Sequence, residues 1–292
     1  MGLRAKKRSL DPSRTALLRR LFWADMQRRF KRLSKDILSL FATENLFPTQ
    51  QQPLSLNLDA GEFQFATNPQ KIKMFRKWLQ DKVDEGVLEV VGGTKGKPWT
   101  AKYVESAYRK GILRAYSDTN KKSKLKDIAY FGGAKEQFLK MALASPVLMS
   151  QLELLATRSF NLLKGVSDQM SDRMSLILAE GLAHGYSPQK IAREMTKAVS
   201  SLSKKRALMI ARTEIINAHA EGQLDSFALL GVSEVRAEVE FSTSKDEKVC
   251  SACATLEGKR YTIDAARGVI PVHPSCRCAW SSVIDRSLLK GV

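Results

Sequence analysis

Between residues 12 and 42 apolar side chains return every three or four positions, at Leu17, Leu21, Phe22, Met26, Phe30, Leu33, Ile37 and Phe41. That recurrence predicts one long amphipathic helix with a basic back, opening with Pro12 in its first turn. The period drops to two in PLSLNLDAGEFQF, where Asp59, Ala60 and Gly61 separate two alternating runs, so two short strands and a tight turn are expected. NPQKIKMFRKWLQDKVDEG predicts a helix capped by Asn68, with Pro69 in its first turn and Gly86 at its end. Thr100 is placed to cap a further helix running to about Tyr116, and NKKSKLKDIAYFGGAK predicts an exposed loop.

From Pro146 onward the pattern is helical, punctuated by LLKGVS, GYSP and SSLSKK, which predicts four consecutive helices. Ser187 and Pro188 mark one start, and the last helix, from about Ser203 to Leu230, is expected to stop at Gly231. VRAEVEFST then returns to period two. The expected fold class is mainly α with a small α+β C-terminal module. Three segments are expected: a mostly helical region over 1–145, a helical core over 146–231, and a compact cysteine-clustered lobe over 232–292.

Composition changes this picture in one respect. Forty-eight Lys and Arg against 30 Asp and Glu give a net charge of +18, enough to bias association toward polyanions, nucleic acid first. The surplus is concentrated: within residues 1–40, twelve basic side chains face Asp11, Asp25 and Asp36. A second basic stretch runs from Lys95 to Lys140. Candidate DNA contacts are Arg19, Arg20, Arg28, Arg29, Lys31 and Arg32 on the first helix, and Lys121, Lys122 and Lys124 on the second stretch. Solvated helix faces or an acidic protein surface would account for the same charge. No run of 18 apolar residues and no signal-peptide core is present in the sequence, so an unexported chain with no membrane partner is expected.

All four cysteines and one of three histidines fall in KVCSACATLEGKRYTIDAARGVIPVHPSCRC. Cys250 and Cys253 form C-x2-C, Cys276 and Cys278 form C-x-C, and His273 stands just before the second pair. Five soft donors for four tetrahedral seats suit structural zinc, which would hold a lobe too small to stabilise itself by apolar burial. Two disulfides or four simply packed thiols are the alternatives, the first disfavoured in a reducing compartment. The zinc deaminase signature is missing, and no second His stands nearby to activate water.

In the preceding helix Glu214, Asn217, Glu221 and Asp225 share one face, with Arg212 and His219 beside it. Such a stripe could hold an active site, but it more often pairs with a neighbouring loop. Arg277, between two candidate ligands, is the expected partner of Glu214.

IARTEIINAHAEGQLDSF, then KVCSACATLEGKRYTI, then PVHPSCRC, resembles the C-terminal signature of the minor head (head morphogenesis) proteins of tailed bacteriophages, the Mu F-like family. The resemblance spans about residues 150–283. Arg212, Thr213, Glu214 and Asn217 fall on the helix motif; Cys250, Cys253, His273, Cys276, Arg277 and Cys278 fall on the cysteine motif. It implies a non-enzymatic virion component, at the head interior near the portal and in the host cytoplasm during assembly. Implied partners are the portal protein, the major capsid or scaffolding protein, and packaged double-stranded DNA. Binding to DNA is expected to be sequence-independent, because no helix-turn-helix or zinc-finger signature is evident. The long basic helix is the candidate docking or DNA-facing element. The competing reading is a zinc-supported nuclease-like enzyme using Glu214, His219 or His273.

Overall fold

The computed structural model describes residues 11–43, 68–91, 96–122, 134–230 and 238–283. Helices dominate: α1 (Ala16–Thr43), α2 (Asn68–Lys82), α3 (Ala101–Lys122), α4 (Lys135–Ala144), α5 (Pro146–Ala183) and α6 (Pro188–Leu229). A two-residue antiparallel pair, β1 (Val90–Val91) and β2 (Lys97–Pro98), lies between α2 and α3. The C-terminal segment holds β3 (Glu238–Ser242), α7 (Ser251–Ala254), β4 (Arg260–Tyr261), α8 (Ile263–Ala266) and β5 (Ala279–Val283). This is the mainly α chain with a small α+β end that the pattern predicts. The strand pair expected over 53–65, the stop at Gly231, and Lys124 lie outside the described residues. No single described helix is long and apolar enough to cross a membrane.

Two helices, α5 and α6, span residues 146–229 where the pattern predicts four. Gly165 lies inside α5 and Ser200, Ser201 and Ser203 lie inside α6. An isolated glycine costs a helix only about 1 kcal/mol, less than the buried apolar face of α5 returns. Ser203 turns its hydroxyl back on the Ser200 carbonyl (3.4 Å), as Ser167 of α5 does on that of Leu163 (3.1 Å), so these hydroxyls are satisfied inside a helix that the buried apolar face holds. The break at GYSP is real. Gly185 there has φ of +64°, which glycine adopts freely, and Ser187 Oγ accepts the Lys190 N–H as α6 begins.

Other boundaries moved. Pro12 precedes α1 by four residues, because Asp11 organises a turn instead: its carboxylate accepts the Ser13 N–H and hydroxyl and the Arg19 guanidinium. Thr100 stands at the start of α3, but its hydroxyl makes no hydrogen bond among the described residues. That helix outruns Tyr116 to Lys122, and α4 follows where the pattern gave no helix. Helix α2 passes through a single π turn, Val83–Val87, closed by Leu88 N–H on the Val83 carbonyl.

The chain divides into two compact units: Met1–Phe22 with Thr100–Ser159 and Met209–Val292, and Trp23–Trp99 with Phe160–Leu208. The core of the first unit is built on Tyr108, Ile112, Phe138, Ile215, Phe227 and Phe241, all fully enclosed. In it α3 and α6 approach at two glycines. A Cβ on Gly111 would stand 2.2 Å from the His219 carbonyl oxygen, and one on Gly222 would stand 2.3 Å from that of Tyr108. In the second unit Met26, Phe30, Leu33 and Ile37 of α1 are buried, as the period predicts, with Leu79, Met195 and Val199 also in the core. Leu17 and Leu21, expected on the same buried face, are 60% and 50% exposed.

Candidate metal centre

Strand β3 alternates half-buried and buried positions along Glu238–Ser242 and is the centre of a three-stranded antiparallel sheet, β4-β3-β5. Phe241 faces Trp280 across the β3–β5 pair, and the Trp280 ring meets Phe241 and Tyr261 edge-on at 5.8 and 5.5 Å. This small apolar knot explains the L-x-G-x-x-Y run. Gly258, at φ +76°, makes the turn that brings β4 back to β3, and Tyr261 then reaches Trp280.

The cysteines stand at the end of this sheet. Cys250 caps α7, its sulfur accepting the Cys253 N–H at 3.4 Å, which is the knuckle that C-x2-C favours. The second pair arrives on the HPSCRC loop, tightened by Cys276 N–H on the His273 carbonyl. Ser275, at φ +68°, donates its N–H to Thr213 Oγ1 at 3.1 Å, so the loop is tied to α6 through the motif threonine.

Five donors fall into two overlapping groups. Cys250, Cys253 and His273 form one, and Cys253, Cys276 and Cys278 the other, with all ligand atoms in each within 4.8 Å of one another. His273 Nε2 lies 3.2 Å from both Cys250 Sγ and Cys253 Sγ, and Cys253 Sγ lies 3.9 Å from Cys276 Sγ. Neighbouring ligands in a tetrahedral zinc site stand about 3.5–3.8 Å apart, so these separations fit with little adjustment. His273 Nδ1 faces the Pro274 carbonyl at 2.8 Å. A carbonyl can only accept, so the neutral ring carries its proton on Nδ1 and presents the Nε2 lone pair to the sulfurs. The cluster could therefore bind a metal ion, and Cys253 is common to both groups.

The sulfurs share protons unequally. Cys276 is pulled down to about 5, chiefly by the Cys278 S–H it accepts. Cys278, the donor in that bond, is pushed up by it and by burial. Burial pushes Cys253 up to about 12, reinforced by the neighbouring Cys276 charge. Cys250 is lowered by the Cys253 N–H. A dication placed among them would release the remaining thiol protons.

Arg277 does not pair with Glu214. Its guanidinium forks onto Asp246 (2.6 and 2.7 Å), whose carboxylate also accepts the Lys248 N–H and the Ser244 hydroxyl. The fork holds the Asp246 carboxyl well below the usual carboxylate range. Asp246 sits in the turn leading into C-x2-C, so Arg277 links the two cysteine segments directly. Glu214 is instead buried and meets Arg158 of α5 at 3.4 Å, and burial raises its pKa.

The remaining stripe does pair with a loop. Arg267, just past α8, reaches Glu221 at 3.0 Å and Asp225 at 2.8 Å, while Gly268 N–H and Gln151 Nε2 also donate to Glu221. Tyr108 donates its hydroxyl to Asp225 at 2.5 Å. Asn217 and His219 are buried and Arg212 is exposed. Both His219 ring nitrogens lack a hydrogen-bond partner among the described residues. Asp246, Arg267, Gln151 and Tyr108 are the members that pattern reasoning missed. Of these only Asp246, in a Ser-rich turn, carries a local signal.

The candidate DNA contacts divide as well. Arg20, Arg28, Lys31, Arg32 and Lys121 are exposed, whereas Arg19 is buried and paired with Asp11. Arg29 is bonded to the Gly86 carbonyl and Glu89, and lies 4.2 Å over the Trp99 ring. These two are packing residues of their own units and leave the exposed basic face. The Lys122 side chain lies outside the described atoms.

Neither the curated proteins nor the solved structures compared with the chain gave a match. Residues 172–281, the end of α5 through β5, match the family model described as Phage Mu protein F like protein. That segment carries the A-R-T-E helix and every cysteine, so the similarity to the Phage Mu protein F-like family rests on the helix motif and the cysteine motif together.

Proposed function

We propose that this chain is a minor head protein of a tailed phage that docks on the portal during head assembly, touches the major capsid or scaffolding protein, and lies against packaged DNA. The observation that carries the reading is the family match over residues 172–281, which ends with the cysteine lobe and includes the helix that anchors it. Zinc held by four of Cys250, Cys253, His273, Cys276 and Cys278 would clip that lobe shut. An ion there supplies folding energy, on the order of 10 kcal/mol for a small domain. The +18 charge supports a phosphate contact without base readout.

A structural role also accords with the enclosure of two of the three groups the nuclease reading would use, His273 being only half-buried. His219 is 1% and Glu214 2% exposed. Imaging of heads carrying an electron-dense tag on this chain tests the assignment: density at the portal vertex is expected, and heads assembled without the protein would overturn it. Incubation with plasmid and Mg²⁺ or Zn²⁺ separates the enzymatic reading, since intact DNA is expected and nicking would favour the nuclease.

A further inference from the structure

We infer that the groove between α1 and α6 in the second unit seats one strand of a DNA backbone through its phosphates. The inference rests on the DNA contact proposed above and gives it a place. The groove, of about 530 Å³, has Arg28 and Lys31 on its α1 wall, Lys204 on its α6 wall, and no acidic side chain in its lining. Cations converging from two helices with no carboxylate between them focus a positive potential along the trough.

Two details turn this from a charged surface into a phosphate seat. Gln27 lines the groove, and its Nε2 is buried with no hydrogen-bond partner among the described residues. An unpaired buried amide is costly to the fold, and a phosphate oxygen arriving in the groove would satisfy it. The α1 wall runs from Ala24 to Ser34. At 1.5 Å per residue that is about 15 Å, the rise along a duplex axis of about four phosphates of one strand at 3.4 Å each. A single small anion would occupy one pole of such a trough; a backbone fills it. Arg28 also meets Asp25 at 3.0 Å, but its side chain is 76% exposed, so the pair exchanges readily for a phosphate.

The test compares two triple variants of the full chain that lose the same charge. One carries Arg28→Gln, Lys31→Gln and Lys204→Gln; the other carries Lys164→Gln, Arg193→Gln and Lys259→Gln, at exposed positions outside the groove. Fluorescence anisotropy with a mixed-sequence duplex across a salt series is the readout. The groove variant is expected to lose about tenfold or more in affinity, and its slope of log K against log salt should fall by about 2.7, or 0.9 per phosphate contact. The distal variant should stay within about twofold of the parent. Gln27→Leu, which keeps the charge, should weaken binding with the slope unchanged. Equal losses in both triples would overturn the groove in favour of diffuse charge. Loss of inorganic polyphosphate binding with DNA binding retained would overturn it in favour of a small-anion site. A parent chain that does not bind DNA sinks the DNA contact itself; a parent that binds beside an unaffected groove variant sinks the groove alone.

Discussion

The side-chain amide of Gln223 hydrogen-bonds both backbone groups of Trp280, donating to its carbonyl at 2.8 Å and accepting its N–H at 3.1 Å. Strand β5 is an edge of its sheet, and a helix residue here takes the place of the missing neighbouring strand. Asp118 of α3 continues the pairing, accepting the Ser282 N–H at 3.1 Å and its hydroxyl at 3.2 Å. The lobe is thus joined to the helices through backbone groups that would otherwise be buried unpaired. Gln223→Leu should destabilise the chain by about 2–6 kcal/mol, from two orphaned groups at about 1–3 kcal/mol each. Urea unfolding measures it, and a change within 0.5 kcal/mol (about the scatter of neutral surface changes) would mean the amide is dispensable.

Cys253 belongs to both donor groups, whereas Cys250 and Cys278 each belong to one. Cys253→Ser should therefore abolish metal retention, while Cys278→Ser leaves Cys250, Cys253, His273 and Cys276 as a complete set. Metal content by mass spectrometry of the purified variants gives the order. Chelation of the parent should expose the lobe to protease while most far-UV helical signal persists. Equal metal loss at Cys253 and Cys278 would show that the two groups do not share a centre as the geometry implies.

Arg267 neutralises two carboxylates that are 9% and 5% exposed, Glu221 and Asp225. Removing one partner of a buried pair costs about 3–5 kcal/mol, chiefly because the remaining charge is stranded. Arg267→Ala should fall in that range, and adding Glu221→Gln with Asp225→Asn should recover much of it. Thermal melts of the single and triple variants decide; no recovery would show that the guanidinium acts by packing alone.

What the sequence made legible follows from how local each cause is. The buried stripe of α1 from Phe22 to Phe41, the break at GYSP and the alternation of β3 are all written within one turn or one strand, and all appear where the pattern places them. The gathering of Cys250, Cys253, His273 and Cys276 was legible too, because C-x2-C and H-P-x-C impose their own turns. The partner of Arg277 was not. Glu214 and Asp246 are equally acidic in the sequence, and only the fold of the turn after β3 brings Asp246 to the guanidinium. Nor could LLKGVS and SSLSKK be told from true breaks. Their small residues remain helical because the long apolar faces of α5 and α6 are buried, which is a tertiary cause.

The approach of α3 to α6 was equally hidden, since Gly111 and Gly222 look like ordinary helix glycines until the facing backbones are known. Alanine normally gains up to about 1 kcal/mol over glycine in a helix. At Gly111 and Gly222 the added Cβ would strike backbone oxygen at 2.2 and 2.3 Å, and backbone cannot turn aside as a side chain can. Gly111→Ala and Gly222→Ala should each cost about 1–3 kcal/mol or more. Gly165→Ala, with nothing within 4 Å of its Cβ, should be neutral or stabilising. Differential scanning fluorimetry of the three variants tests the contrast, which a stabilised Gly111→Ala would reverse.

His219 supplies a pH dependence of definite sign. Burial, opposed by Asp11 and aided by Arg114, Lys110 and Arg19, lowers its pKa from 6.5 to about 3. Above 6.5 the ring is neutral in both folded and unfolded chains, so it contributes no pH dependence. Below 6.5 the unfolded chain takes up a proton that the folded chain refuses, and stability falls as the pH descends toward 3. The slope is at most about 1.4 kcal/mol per pH unit, so the accumulated loss by pH 5 is about 2 kcal/mol. Glu214, whose folded pKa is raised by burial, has the opposite sign and would mask part of this in the parent alone. Subtracting His219→Leu from the parent cancels that contribution. Urea unfolding at pH 7 and pH 5 should show the variant gaining about 2 kcal/mol on the parent at the lower pH. A difference that does not change with pH would mean the imidazole is protonated inside the fold after all.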